Sequence, residues 1–287
     1  MTALAERRPF VVAAAQMCAG DDVGANLTVC RALAAEAARG GASLFALPEC
    51  FAFIGRRATD RVAVAERLDR PGPILDGVRD MAREHGMWVV AGGLPESSPH
   101  SASKTYNTCL LVDPSGETRA VYRKIHLFDV RIPGRAELSE SATTEGGRDV
   151  VVADTPLCRL GLSICYDVRF PELYRAQAVE QGAELLLVPS AFTAHTGAAH
   201  WHTLLRSRAI ENQCFVVAPA QHGKHNPARE SFGHTLIIDP WGDVLAELAV
   251  GDGLAVAEID LARLARVRAE MPCHSHRVLG VGRAPAG

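Results

Sequence analysis

Apolar positions along this chain fall into short continuous runs, and the runs alternate with stretches where they recur every three or four residues. Phe10-Val11-Val12-Ala13-Ala14-Ala15 is one such run, between Pro9 and Gln16, and predicts a buried strand. From Val23 to Arg39 the apolar residues are Leu27, Cys30, Leu33, Ala34 and Ala37, a helical period that Gly40-Gly41 stops. Ser43 to Leu47 predicts a second strand, ending at Pro48-Glu49. Pro73 opens a helix with Ile74, Leu75, Val78 and Met81 on one face. Met87 to Gly92, Asn107 to Asp113 and Glu117 to Arg123 predict three further strands. Gly92-Gly93 reads as turn material, and Asp113-Pro114-Ser115-Gly116 as a type I turn making a hairpin of the last two.

After a long polar, Gly-bearing segment from His126 to Asp149, the order recurs. Leu157 to Ile164 predicts a strand, Pro171 to Gln181 a helix, Glu184 to Pro189 a strand, and the region around His200 to Asn212 a helix. Cys214 to Ala220 predicts the next strand. A hairpin follows, turning at Asp239-Pro240-Trp241-Gly242 and matching the Asp-Pro-x-Gly of the first half. Gly253 to Ile259 and Leu261 to Glu270 close the chain as strand and helix. Two halves of alternating strands and helices predict two helix-covered sheets packed on each other. The expected fold class is therefore α/β, a four-layer α-β-β-α sandwich. No Pro/Ser-rich linker divides the halves, so one domain is expected over 9–271, with a flexible lead at 1–8 and a tail at 272–287.

Composition narrows the function. With 48% hydrophobic residues the 287-residue chain can bury a sizeable core. A net charge of -3 without a Lys/Arg block gives no support to a nucleic-acid partner. No stretch approaches the ~18 apolar residues needed to span a membrane, so no membrane partner is expected. Arg7-Arg8 before the first apolar run has the outline of a signal peptide, but Gln16 ends the run early. The reading is a first core strand and a cytoplasmic protein. The eight cysteines sit mostly inside apolar runs with no C-x-x-C pair, which fits a reducing compartment and indicates neither a zinc knuckle nor a thioredoxin-type dithiol. His195, His200 and His202, or His274-x-His276, invite a metal. No H-E-x-x-H occurs and no carboxylate sits at ligand spacing, so none is expected, and without a P-loop or G-x-G-x-x-G no cofactor is either.

The stretch Leu157 to Arg175 carries the candidate chemistry. It delivers Cys165 to a strand-to-helix junction, the place where the serine elbow of the α/β hydrolases exposes a nucleophile. Such a thiol needs a proton acceptor and a group that holds developing negative charge. Spacing singles out no histidine among the eleven. Two first-half strands end in charge, at Glu49 and at Arg123-Lys124, and facing sheets would let both reach Cys165. Alone, each has an ordinary reading: a solvated glutamate, a charged hairpin end, a structural thiol.

Together with their flanks the three residues say more. Leu47-Pro48-Glu49, Tyr122-Arg123-Lys124-Ile125-His126-Leu127 and Cys165-Tyr166-Asp167-Val168-Arg169-Phe170-Pro171-Glu172-Leu173 resemble the three signatures of the nitrilase superfamily, the carbon-nitrogen hydrolases. The resemblance runs from about Phe10 to Leu279. It implies the same sandwich fold, a homodimer or larger assembly, no metal, and a small-molecule amide substrate. By position, Glu49 resembles the general base, Lys124 the oxyanion-holding cation, Cys165 the nucleophile, and Glu140 a second glutamate that positions Lys124 or the substrate. Tyr166-Asp167, where nitrilases carry Trp-Glu, favours an amidase. The stretch from Thr196 to Gln213 looks like the Nit subgroup, which holds the ω-amidases and the deaminated glutathione amidases. Phe51 to Ile54 and Gln221 to His234 look more like the second kind. Both substrate types are acidic, and Arg169, four residues past Cys165, is a candidate for their carboxylate, weighed against a structural ion pair. Tyr166 is expected to lend its backbone N–H to the oxyanion, and Phe192, Thr193 and His195 to line the pocket. Cys50 is expected to face away from Glu49 as an inert thiol, if the strand continues. Alternatives of other classes are a catalytically silent binding protein on the same fold and an N-acyl transferase.

Overall fold

The computed structural model describes residues 7–131 and 138–279. The first half forms β1 (Phe10–Met17), α1 (Val23–Arg39), β2 (Ala42–Leu47), the short α2 (Asp60–Ala63), α3 (Pro73–His85), β3 (Trp88–Ser97), β4 (Thr105–Val112) and β5 (Thr118–Arg123). Among the described residues the connection holds three two-residue strands: β6 (Asp129–Val130), β7 (Leu138–Ser139) and β8 (Thr144–Glu145). The second half begins with β9 (Val152–Asp154), β10 (Arg159–Leu162), α4 (Pro171–Arg175), β11 (Leu185–Leu187), α5 (Ala194–Asn212) and β12 (Phe215–Ala218). It ends with β13 (Ala220–Asn226), β14 (Arg229–Phe232), β15 (Thr235–Ile238), β16 (Val244–Leu248), β17 (Gly253–Ile259) and α6 (Leu261–Glu270). Of the lead and tail expected at 1–8 and 272–287, residues 1–6 and 280–287 lie outside the described residues. Arg7 is tied to the second half by an ion pair with Glu184 at 3.0 Å.

Helix ends follow local chemistry. The Asp22 side chain accepts the Ala25 amide at 2.9 Å to start α1, and Gly40 closes it. Glu66 accepts the amides of Gly72, Ile74 and Leu75 over the first turn of α3, which Pro73 begins.

Strand alternation divides the core in two. On β1 and β2, Ala13, Ala15, Phe45 and Leu47 face α1 and α3 and pack with Leu27, Leu33, Ile74 and Val78. Val12, Ala14, Leu44 and Ala46 point the other way and pack with Leu160, Leu162, Leu186 and Val216 of the second sheet. Each Leu or Val so buried contributes about 1.5–3 kcal/mol before entropy is counted. Trp201, Leu205 and Ala209 of α5, with Leu173 and Tyr174 of α4, cover that second sheet. The four-layer α-β-β-α sandwich follows.

The two halves do not map cleanly onto two sheets. One sheet runs β16-β15-β12-β11-β10-β9, the other β14-β13-β1-β2-β3-β4-β5, with β17 antiparallel on β1 and β8 parallel on β4. The run from Cys214 to Ala220, expected as one strand, is broken at Pro219: β12 belongs to one sheet and β13 to the other. Proline has no N–H to continue a ladder, and there the chain changes sheets. Gly92-Gly93, expected as turn, lies inside β3, where pairing with β4 slips between Ala91 and Leu94. Gly93 has φ +72°, and a Cβ on it would lie 2.8 Å from both Glu49 Cγ and Asn107 Oδ1. The bulge makes room for the Glu49 side chain.

Candidate active site

Glu49, Lys124 and Cys165 each lie just past the carboxyl end of a strand, after β2, β5 and β10. The sandwich brings them together. Lys124 Nζ donates to Glu49 Oε1 at 3.0 Å and to Glu140 Oε2 at 2.8 Å. Cys165 lines the same cavity beside the Glu49 carboxylate, close enough that each shifts the other's proton affinity. Lys124 is 2% exposed and Glu49 4%, so these charges meet away from bulk water.

Cys165 stands at φ +48°, a left-handed conformation that a non-glycine residue adopts only under constraint. Its amide donates to Pro189 O at 2.9 Å, and a 3-10 turn, Cys165–Arg169, begins at once and leads into α4. Asp167, fully buried, holds this elbow to the Lys124 segment. One of its oxygens accepts from Ile164 N at 2.8 Å and Tyr122 Oη at 2.6 Å. The other accepts from His126 N at 3.1 Å and His126 Nδ1 at 2.8 Å. Four donors on one buried carboxylate leave no place for an amide NH₂. Asp167→Asn is therefore expected to lower stability by about 3 kcal/mol, read as a drop in the urea midpoint, and to lower turnover by loosening the elbow.

Asn107 is a member that sequence reasoning missed. Its Nδ2 donates to Glu49 Oε1 at 2.8 Å and to Glu140 Oε1 at 3.2 Å, bridging the two glutamates. Its signal was a buried polar side chain at the head of the apolar strand β4. The other Glu49 oxygen accepts Ala191 N at 2.8 Å, and Phe128 N donates to Glu140 Oε2 at 2.8 Å.

Burial alone would push the Glu49 carboxyl up. The charges of Lys124 and Arg229, with the hydrogen bond from Lys124, bring it instead from an ordinary 4.5 to about 2. Burial and the neighbouring Glu49 charge push the Cys165 thiol well above its ordinary value, with Lys124 opposing. Lys124 would be lowered by burial, but Glu140 and Glu49 raise it well above 10.5. At rest Glu49 is a carboxylate, Lys124 an ammonium and Cys165 a neutral thiol.

This cluster opens on a cavity of about 720 Å³. Tyr166, Phe192, Thr193 and His195 line it, as does Glu140. Arg169 is not among the lining residues. It lies over the Phe192 ring at 5.1 Å and the Tyr166 ring at 5.8 Å, and its Nη1 donates to His200 Nδ1 at 3.3 Å. In a 3-10 turn of three residues per turn, the fourth residue after Cys165 leaves the face that Cys165 occupies. Cys50 also departs from expectation. β2 ends at Leu47, Cys50 turns back at φ +58°, and it lines the same cavity as Glu49.

Residues 11–269 match the family model described as carbon-nitrogen hydrolase. The chain belongs to the carbon-nitrogen hydrolase family. This hydrolase is 44% identical over 275 residues to the nitrilase and fragile histidine triad fusion protein NitFhit of Caenorhabditis elegans, a match covering 96% of the chain and 62% of that protein. The chain thus spans less than two thirds of that relative. The crystal structure of C. elegans NitFhit superposes with a TM-score of 0.89 at 43% identity, over 95% of this chain and 66% of that one. A deaminated glutathione amidase of Synechocystis is 44% identical, with 94% of the hydrolase and 99% of the relative covered. The human deaminated glutathione amidase is 44% identical over 93% of the hydrolase and 82% of its own length.

Outside the cavity, His202, His234 and Glu247 bring three potential metal-ligand atoms within 4.8 Å of one another. The histidine readings had lacked a carboxylate; one arrives from β16, which pairs with β15 next to His234. Glu247 Oε1 accepts from His202 Nε2 at 3.0 Å and His234 Nδ1 at 2.5 Å, so the three side chains satisfy one another. Among the described residues no helix is long and apolar enough to cross a membrane.

Proposed function

We propose that this hydrolase is an amidase that cleaves a small, carboxylate-bearing amide of the deaminated glutathione type through a thioester on Cys165. The convergence of Cys165, Glu49 and Lys124 at one cavity carries the reading. The 44% identity to deaminated glutathione amidases supports the substrate.

In the first half-reaction the Cys165 sulfur bonds to the amide carbonyl carbon while its proton passes to Glu49. A carboxylate held near 2 is a poor base for a free thiol, but the transfer is coupled to charge relocation. As Glu49 is neutralised, the carbonyl oxygen becomes the anion beside Lys124, so the ammonium keeps a negative partner throughout. Lys124 and the Tyr166 backbone N–H hold that oxyanion. Collapse of the tetrahedral adduct breaks the C–N bond, and the amine leaves with the proton from Glu49. Water then attacks the thioester as Glu49 takes its proton, and the acid is released with Cys165 restored as thiol. Glu140 keeps Lys124 in position. Phe192, Thr193 and His195 enclose the substrate, and Arg169 acts on it only through the rings it stacks upon. We read the enzyme further as a cytoplasmic homodimer. Eight free cysteines support the reducing compartment, and exposed Ile210 and Trp241, at the end of α5 and the adjoining β15–β16 turn, support a second copy.

The test is amine or ammonia release from deaminated glutathione and from 2-oxoglutaramate. The kcat/KM for deaminated glutathione should exceed that for 2-oxoglutaramate by about tenfold or more. The reverse ranking would make the enzyme an ω-amidase, and release from neither substrate would overturn the amidase reading.

A further inference from the structure

Two arginines line the cavity without a carboxylate partner. Arg229, at the start of β14, is partly buried, and its Nη2 lies 4.0 Å from Cys50 Sγ. Arg61, in α2, donates to Thr144 Oγ1 at 3.2 Å. Among the described residues, neither guanidinium has a carboxylate oxygen within 4.0 Å. The other lining arginines differ: Arg56 pairs with Asp21 at 3.0 Å and Arg57 with Asp60 at 2.9 Å. The lining carboxylates are also committed, since Glu49 and Glu140 both bind Lys124, and Glu230 is exposed.

The two guanidinium groups line one cavity. Both draw the Cys50 thiol down against its burial, and Arg229 also acts on Glu49. Arg229 reaches Cys50, the residue that follows Glu49, whereas Arg61 is held by Thr144, so the role falls first to Arg229. Taking a guanidinium out of water without a paired counterion is unfavourable, and at Arg229 the fold offsets it only through the Cys50 contact and the charge of Glu49, which lies beyond ion-pair distance. A planar donor fork in a confined cavity matches a planar two-oxygen anion.

We infer that Arg229, backed by Arg61, is the subsite for a substrate carboxylate, and that it makes the enzyme selective for acidic over neutral amides. This rests on the amidase reading above and names a residue for the role that sequence position had assigned to Arg169. An anion bound there would also cancel the Arg229 charge felt by Glu49. The base would then become stronger when the correct substrate is in place.

The experiment compares kcat/KM for deaminated glutathione with that for the two forms in which one carboxylate or the other is methyl-esterified. Wild-type enzyme should prefer the free acid to one of the esters by about 10–100-fold. Arg229→Met should collapse that ratio, mainly through KM, with Arg61→Met causing a smaller fall. Arg229→Lys, which keeps the charge and loses the fork, should lie between wild type and Arg229→Met. Arg229 makes no ion pair, so its replacement leaves the fold intact, and circular dichroism checks this directly. A wild-type enzyme indifferent to both esters would overturn the subsite, and so would a preference that survives Arg229→Met. Turnover of none of the three compounds by wild type is a different result and removes the amidase reading itself.

Discussion

Cys165→Ala is expected to reduce amide turnover by about 10⁴-fold or more, with the folded state retained. No other group in the cluster can carry the acyl intermediate. Glu49 is ionised but fully occupied by Lys124, Asn107 and the Ala191 amide. Cys50, the other thiol lining the cavity, has its Sγ 4.0 Å from the Arg229 guanidinium, a group with no lone pair to accept its proton. The backbone at Cys165 is left-handed, and alanine carries the same Cβ strain there as cysteine, so the substitution adds none. Loss of the sulfur's contacts should cost only about 1 kcal/mol. Amine release and a urea titration on the same preparation check both halves. Residual turnover within tenfold of wild type would move the nucleophile elsewhere.

Glu49→Gln is expected to lower turnover by about 10³–10⁴-fold and to leave the acyl group on the enzyme, because the water step loses its base. Intact-mass measurement after mixing with deaminated glutathione should show the acyl adduct, and peptide mapping should find it on Cys165. An adduct on Cys50 would overturn the assignment, as would wild-type turnover in the variant. Three donors converge on the Glu49 carboxylate, so glutamine sets its NH₂ against one of them. A further loss of about 1–3 kcal/mol in stability is expected. The pH dependence has a definite sign. The native carboxyl is held at about 2, below its ordinary 4.5, so the charged form favours the folded state. That contribution is complete above 4.5 and disappears as pH falls toward 2. In Glu49→Gln this part of the acid loss of stability should be absent, measurable as a flatter urea midpoint across that interval.

Much of the architecture was legible along the chain. The helix from Val23 to Arg39, the helix opening at Pro73 and both Asp-Pro-x-Gly hairpin turns stand where the local pattern placed them. Hydrophobic period, caps and turn residues act within a few positions, so they can be read without knowing what the segment packs against. The strand-end positions of Glu49, Lys124 and Cys165 belong to the same level.

Which residues meet across the molecule was decided by the packing of the two sheets. Lys124 reaches Glu49 across 75 residues of sequence and the Ala191 amide reaches it across 142, and no local pattern encodes such pairings. The exchange of sheets at Pro219, the return of β17 to β1 and the bulge at Gly92-Gly93 are of the same kind. Arg169 and Arg229 make the contrast plain. Four residues of separation suggested that Arg169 would share the face of Cys165, and a three-residue turn took it away. Arg229, distant in sequence, is brought to the cavity because β13 and β14 extend the sheet that carries Glu49. Local chemistry, then, is written in the sequence. The environment that makes a thiol, a carboxylate and an ammonium into one site arises only when two sheets close over them and exclude water.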